Sequence, residues 1–304
     1  MLYGALRSGT TLVRLILDGH PNICCPGERD FMLDYLRPQG KRLLLDRKGL
    51  CEDRIFLSSG LELPEAEDGA AAFDAFLDED MAHHHKARHV LVMHRDLKTL
   101  LTLRPDIRII HLVRDPRDVA RSSIGMGWAG NTWFGVDHWI DTERDWDAQS
   151  GLLAPEQVFT LRYETLLQAP EDTLRRLFDF LGLPFDERVF SFSEHSTYAP
   201  LDAGLAEQWR RKQTPEELSD VEHKLGDLLT RRGYHPSGAP VRAPGMWRQG
   251  QLFVQNKRHH WKTRFERFGY FDSLTETLTR RLGLQRLGHG ARARIREKEK
   301  RYLK

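Results

Sequence analysis

Cysteine is scarce: Cys24, Cys25 and Cys51 are the only three in 304 residues. An odd count that includes a vicinal pair builds no disulfide framework, so reduced thiols are expected. No C-x-x-C pair marks a zinc site. The adjacent His83, His84 and His85 do not stand at the spacing of one helix face, so a solvated turn is expected there and no metal. Long hydrophobic runs are missing, which excludes a helix of membrane-spanning length. Internal repeats are missing too, and neither sign of charge dominates, since 46 basic against 44 acidic residues leave +2. With 40% hydrophobic and 30% charged residues, the chain is globular and long enough for one large domain or a domain with an appendage.

That small net charge hides an uneven distribution. From Arg242 to Lys304 there are 17 basic and 5 acidic residues, so this segment carries +12 and the remainder −10. The Pro/Gly-containing stretch His235 to Gly250 separates the two, which suggests a domain over 1–235 and a basic, mainly helical extension over 236–304. In the extension Trp261, Phe265, Phe268 and Tyr270 are interleaved with Lys and Arg, and the end from Ala291 reads as a charged helix. Such a segment could dock an acidic acceptor or a membrane surface, or lie back on the acidic remainder. No nucleic-acid recognition motif appears, and no nucleic-acid partner is expected.

Residues Gly4 to Thr11, G-A-L-R-S-G-T-T, have the frame of a phosphate-binding P-loop but lack its lysine, because Thr10 stands in that place. Met1 to Ala5 is apolar and strand-like, Gly9 frees the backbone, and Leu12, Leu15, Ile16 and Gly19 recur at helical spacing. Such a loop aims backbone N–H groups and the positive end of a helix at an anion. Arg7, Ser8, Thr10 and Thr11 add a charge and hydroxyls. An ordinary capped turn would read the same way.

A second anion site is suggested where Ile107 to Val113 ends at Arg114-Asp115-Pro116. The apolar run is a buried parallel strand. Asp115 suits a helix N-cap, Pro116 the first helical position and Asp118 a capping-box acid. Ser122 falls about two turns into that helix, on a face that can look back at Arg114. The plain alternative is a buried Arg–Asp pair within the turn. Strands at 1–5, 22–25, 90–93, 107–113 and 157–162 alternate with helices at 10–19, 117–125, 170–181 and 215–232, a parallel α/β plan. Every candidate group follows a strand end, where open α/β sheets hold ligands.

Together, the lysine-less P-loop and R-D-P-R-D-V-A-R-S resemble the sulfotransferases that use 3'-phosphoadenosine-5'-phosphosulfate. V-F-T-L-R-Y-E-T-L-L-Q-A-P followed by L-R-R-L-F-D-F-L-G-L-P-F resembles that family's strand, tyrosine–acid turn and following helix. The resemblance implies a three-layer parallel sheet of P-loop-type topology. It also implies a 5'-phosphosulfate held by Arg7 to Thr11 and a 3'-phosphate held by Arg114 with Ser122, with Tyr163 near the adenine. R-S-G-T-T-L continuing into Leu17-Asp18-Gly19-His20-Pro21 and reaching Glu28 is similar to the protein-tyrosine branch. Glu28 is then the first candidate for general base, provided that partial burial raises its pKa. His94, after the run Val90 to Met93, is the competing base, as in the small-molecule branch. Arg95 before Asp96 is nearest to a lysine–aspartate pair that steadies the leaving group in the protein-tyrosine branch. Trp209-Arg210 resembles a late segment over the nucleotide, as lid or as core.

The implied reaction is one-step in-line transfer of a sulfuryl group to a hydroxyl acceptor, phenol or tyrosine, glycan or small metabolite, without metal. A P-loop kinase, with Asp115 for magnesium, or a non-catalytic nucleotide-binding protein are the other classes. Met1-Leu2-Tyr3 leads straight into the loop, so a cytoplasmic setting is expected.

Overall fold

The computed structural model describes residues 1–40, 42–284 and 287–299. Two compact units are formed. One comprises Met1–Val119, Asp137–Lys212 and Asp227–His235; the other comprises Ala120–Val136, Gln213–Gly226 and Pro236–Lys304.

In the first unit, β1 (Leu2–Gly4), β6 (Val92–Met93), β7 (Ile109–Val113) and β8 (Val158–Arg162) form a parallel sheet in the order β6-β1-β7-β8. β1, β6 and β7 are buried at every position, as strands covered on both faces are, whereas the edge strand β8 buries only Leu161. Leu2, Val92, Ile110 and Leu161 point into a cluster with Val13, Ile16, Leu174 and Phe178. Their neighbours Tyr3, Met93 and Ile109 point into another, with Phe31, Phe73 and Phe76. The result is helix, sheet, helix: the three-layer α/β plan.

The stretch expected as one strand over 90–93 serves two neighbours. β5 (Arg88–His89) pairs in parallel with β2 (Ile23–Cys24), and β6 pairs with β1. Between them Val90 donates to Cys24 O at 2.8 Å and Leu91 O accepts from Leu2 at 2.7 Å, so the backbone passes from one partner to the next. Between β2 and β5 lie the antiparallel pair β3 (Leu36–Gln39) and β4 (Arg42–Leu45), then the helix Gly69–His84. The histidine run closes that helix, with His85 at φ 52° as its C-cap. Asp80 on the helix takes two 2.9 Å bonds from Arg29 and lies 3.1 Å from His89. Burial opposes its charge, but His89 and Arg29 prevail and hold the carboxyl down at about 2. The helix expected over 215–232 breaks at Gly226 (φ 56°, ψ −133°) into Pro215–Leu225 and Leu228–Arg231. All three cysteines are free.

The second unit is helical, with long members Met246–Phe268, Tyr270–Arg281 and His289–Glu299. Gly130 lets the first of these approach closely, since a Cβ there would lie 2.6 Å from Asn256 Cα. Asn131 Nδ2 donates to Leu252 O at 2.8 Å, and Gly130 N to Asn256 Oδ1 at 2.7 Å. No helix among the described residues is long and apolar enough to cross a membrane.

Candidate active site

The loop between β1 and the helix Thr10–Asp18 is held by its carbonyl oxygens. Gly4 O lies 2.7 Å from His94 Nδ1, Ala5 O accepts from Ser8 N at 3.1 Å, Leu6 O lies 2.9 Å from His138 Nε2, and Arg7 O accepts from Arg114 Nη1 at 3.1 Å. Four successive acceptors are thus occupied by the loop itself and by three other elements of the unit. The amides that follow open a helix whose N-cap, Gly9, is left-handed at φ 96° and brings no capping side chain. The first-turn N–H groups have no intrahelical acceptor, so this end of the loop is electropositive. Arg7 adopts φ 69°, uncommon for a residue with a side chain, and Ser8 is fully buried with no partner for Oγ. Buried donors that the protein leaves unsatisfied cost free energy unless a ligand takes them.

Tyr163 closes the loop from one side. Its ring occupies the space a side chain at residue 9 would need, with Cδ2 and Cε2 only 2.5 Å from the position of a Cβ. Arg114 lies over the same ring, 4.3 Å from its centroid, and its Nε is buried without a hydrogen-bond partner. Burial raises the Tyr163 pKa, so the phenol stays neutral.

Glu28 and His94, read from the sequence as rival bases, are neighbours. Glu28 bridges to Val92 beside β6, and the turn that delivers it is tied back by Arg14 Nη1, 3.4 Å from Cys25 O. His94 Nε2 approaches Glu28 Oε1 to 3.4 Å, at an angle that leaves Nε2 short of a hydrogen bond. With Nδ1–H committed to Gly4 O, a neutral imidazole would turn a lone pair toward the carboxylate, so the site favours the imidazolium. Burial works against that charge, yet Glu28, Asp30 and the Gly4 carbonyl outweigh it, and the His94 pKa is raised. His94 in turn is the main reason that Glu28 is lowered, against its own partial burial. The raised carboxyl pKa expected for Glu28 is therefore not what this environment produces. Glu28 is the exposed member of the pair and His94 the buried one, with side-chain exposures of 43% and 3%.

Arg95 is committed to Asp34 through both Nε and Nη2, with Asp30 at 3.8 Å. The turn after β7 also differs from its expected wiring. Asp118 caps the segment of Gln208 and Trp209, accepting at 3.2 and 2.7 Å, whereas Glu164 Oε1 takes the Asp115 N–H at 2.8 Å. A buried Arg–Asp pair does exist in the turn, but it is Arg117 that binds Asp115, at 2.9 and 2.7 Å. This leaves Arg114 to face the loop. Both oxygens of Asp115 are engaged by Arg117. Trp209 is core: buried, with Arg117 stacked 3.6 Å from its ring. Ser122 lies on the continuous helix Pro116–Gly125, two turns from its start.

His138, which holds the loop at Leu6, was missed in the sequence. Nothing in its local pattern marks it, because its partner Leu6 is 132 positions away. Burial lowers its pKa, so it sits neutral and donates from Nε2.

Residues 1–187 match the model of the sulfotransferase family. The chain belongs to that family. Among relatives, a putative protein-tyrosine sulfotransferase of Caenorhabditis briggsae is 30% identical over 204 residues, 63% of this chain and 68% of that protein. Protein-tyrosine sulfotransferase 1 of Danio rerio is 26% identical over 290 residues, 86% of this chain and 78% of the other. A protein of Aquifex aeolicus (strain VF5) is 29% identical over 220 residues, which span 68% of this chain but only 28% of the relative. The sulfotransferase domain from the curacin biosynthetic pathway superposes with a TM-score of 0.58 at 18% identity, covering 77% of this chain and 96% of the domain. At that identity the likeness concerns the fold, and it agrees with the three-layer sheet described above.

Proposed function

We propose that this sulfotransferase-family chain transfers a sulfuryl group from 3'-phosphoadenosine-5'-phosphosulfate to a hydroxyl acceptor. One observation carries the reading: the same short loop is gripped at Gly4 by His94, which lies 3.4 Å from Glu28, and at Arg7 by Arg114. An anion cradle and a proton acceptor are thereby tied to one piece of backbone.

In this reading the loop amides, Ser8, Thr10 and Thr11 bind the phosphosulfate, Arg7 faces the bridging oxygen, Arg114 and Ser122 take the 3'-phosphate, and Tyr163 bounds the nucleoside. The unpartnered Ser8 Oγ and Arg114 Nε fit an anionic ligand. The acceptor oxygen attacks sulfur as the bond from sulfur to the bridging phosphate oxygen breaks. The hydroxyl proton passes to Glu28, and the electron pair leaves on the phosphate, stabilised by the loop. A carboxylate with a lowered pKa is a weak base, which suits a proton that is lost only as the new bond forms and the hydroxyl becomes acidic. His94 orients Glu28 as a positioning residue. For the acceptor we favour a phenol, tyrosine included, because the relatives include protein-tyrosine sulfotransferases and the run from Leu17 to Glu28 resembles that branch.

Two measurements test this. Titration calorimetry with adenosine 3',5'-bisphosphate should show binding without magnesium and preference over ATP; the reverse preference would remove the reading. Labelled donor offered with phenol, tyrosine-peptide, sugar and aliphatic alcohol acceptors should label the phenols first. Labelling confined to sugars would move the acceptor class and leave the donor assignment standing.

A further inference from the structure

The helix Met246–Phe268 turns two different faces to its surroundings. Its inner face is fixed, because Leu252 is buried, Asn256 packs on Gly130, and Thr263 Cγ2 lies 2.4 Å from where a Gly127 side chain would start. The opposite face carries Phe253, Val254, Lys257, Arg258 and Trp261 at the three- and four-residue spacing of one helical stripe, with Trp247 two turns before Val254 on the same face. Trp247 is 82% exposed, and Phe253 and Val254 are each 53% exposed. Phe253, Val254, Lys257, Arg258 and Trp261 line a shallow groove with mainly apolar walls. Aromatic contacts extend the patch, since Trp261 meets Phe265 at 5.2 Å, Phe265 meets Tyr270 at 4.7 Å, and Tyr270 meets Phe271 at 6.1 Å between centroids.

The cations on this stripe differ from those around it. Arg248 is paired with Asp220, Arg264 with Glu276, and Arg294 with Asp272. No ion pair engages Lys257 or Arg258 among the described residues; Lys257 instead lies over the Phe253 ring at 5.4 Å. Large aromatics at a polar boundary, with unneutralised cations one turn away, match an anionic bilayer surface. There the rings enter the headgroup region and the cations meet phosphate. A second copy of the same stripe is a poor partner, because the +12 charge of residues 242–304 would meet itself.

We propose that the outer face of the helix Met246–Phe268 docks this protein on anionic phospholipid membranes. The proposal is independent of the reaction assigned above, and its test reads lipid binding rather than turnover. The full chain is sedimented with vesicles of phosphatidylcholine alone and with roughly one-third phosphatidylglycerol, at low and high salt. Strong partition to the anionic vesicles, weakened by salt and accompanied by a blue shift of tryptophan emission, is expected. Trp247→Glu with Phe253→Glu should lower partition by about tenfold or more, and Lys257→Gln and Arg258→Gln by about fivefold each. All four side chains are at the surface, so circular dichroism should find the variants folded.

Partition that is absent, or undiminished in the folded variants, overturns the proposal. So does a dimer in light scattering that Phe253→Glu dissociates, which would give the face to a second copy. Binding to polyglutamate or DNA without binding to vesicles would give it to an acidic polymer and overturn it as well.

Discussion

Arg114 donates from Nη1 to the backbone carbonyl of Arg7 at 3.1 Å, joining the end of β7 to the loop after β1 across 107 positions of sequence. Its other nitrogens are less committed, with Nε unpartnered and Nη2 3.9 Å from Asp118. Arg114→Ala should therefore weaken adenosine 3',5'-bisphosphate by about 10- to 100-fold, the range for charge-assisted hydrogen bonds. Arg114→Lys should recover only part of this, because an ammonium cannot hold the carbonyl and a phosphate with one planar fork. Calorimetry that found Arg114→Ala unchanged would detach this arginine from the donor.

Much of this arrangement was legible in the sequence because its signals are local. Apolar runs that stop at Gly or at Asp-Pro located β1 and β7, the resemblance of V-F-T-L-R-Y-E located β8, and the helix expected over 170–181 is the helix Pro170–Leu181. What was not legible depends on pairs far apart in the chain. Glu28 and His94 read as rivals because each was plausible alone, and only the fold places them 3.4 Å apart and sets the direction of both pKa shifts. His138 gave no signal for the same reason. Asp118 suited a capping box by spacing, but it caps Gln208 and Trp209, 90 and 91 positions on.

With Glu28 as the proposed base, the Glu28–His94 pair should set the acid side of the pH profile. Glu28 accepts a proton only when ionised, and its pKa lies below the usual 4.5 chiefly because of His94. In kcat/KM the acid limb should fall below pH 4.5 and the profile should be flat towards neutrality. His94→Gln should move that limb up towards the ordinary carboxyl value, a displacement that a purely structural histidine would not cause. Glu28→Gln should lower kcat by about 10²–10⁴ with nucleotide affinity retained. Single-turnover rates across pH would decide; an unshifted limb in His94→Gln would count against the coupling.

Stability should depend on the same pair with the opposite sign for each partner. His94 has a folded pKa above the ordinary 6.5, so the folded state binds more protons there than the unfolded chain. Its contribution is fully present below pH 6.5 and declines as pH rises through the folded value. Glu28, lowered in the folded state, contributes above its unfolded value and loses that contribution as pH falls through the folded one. Urea denaturation of wild type and His94→Gln should show a gap of about 1–3 kcal/mol at pH 6 that narrows towards alkaline pH. It should not close, because Nδ1 still donates to Gly4 O at 2.7 Å when the ring is neutral. A gap that widens with pH would reverse the assigned direction of the His94 shift.

Gly9 and Tyr163 form a steric pair whose two components can be separated. A Cβ at residue 9 would lie 2.5 Å from the ring, and φ +96° is strained for any side chain even in open space. Gly9→Ala should cost about 1–3 kcal/mol of stability and weaken the nucleotide as the loop opens. Tyr163→Ala makes room but leaves a cavity beside the loop and removes the ring beneath Arg114, at an expected cost of about 3–5 kcal/mol. In the double variant the clash disappears and the backbone strain remains. The two changes should therefore cost less together than the sum of the singles, with a coupling of about 1 kcal/mol or more. Strict additivity in denaturant titrations would mean that the ring does not touch the loop.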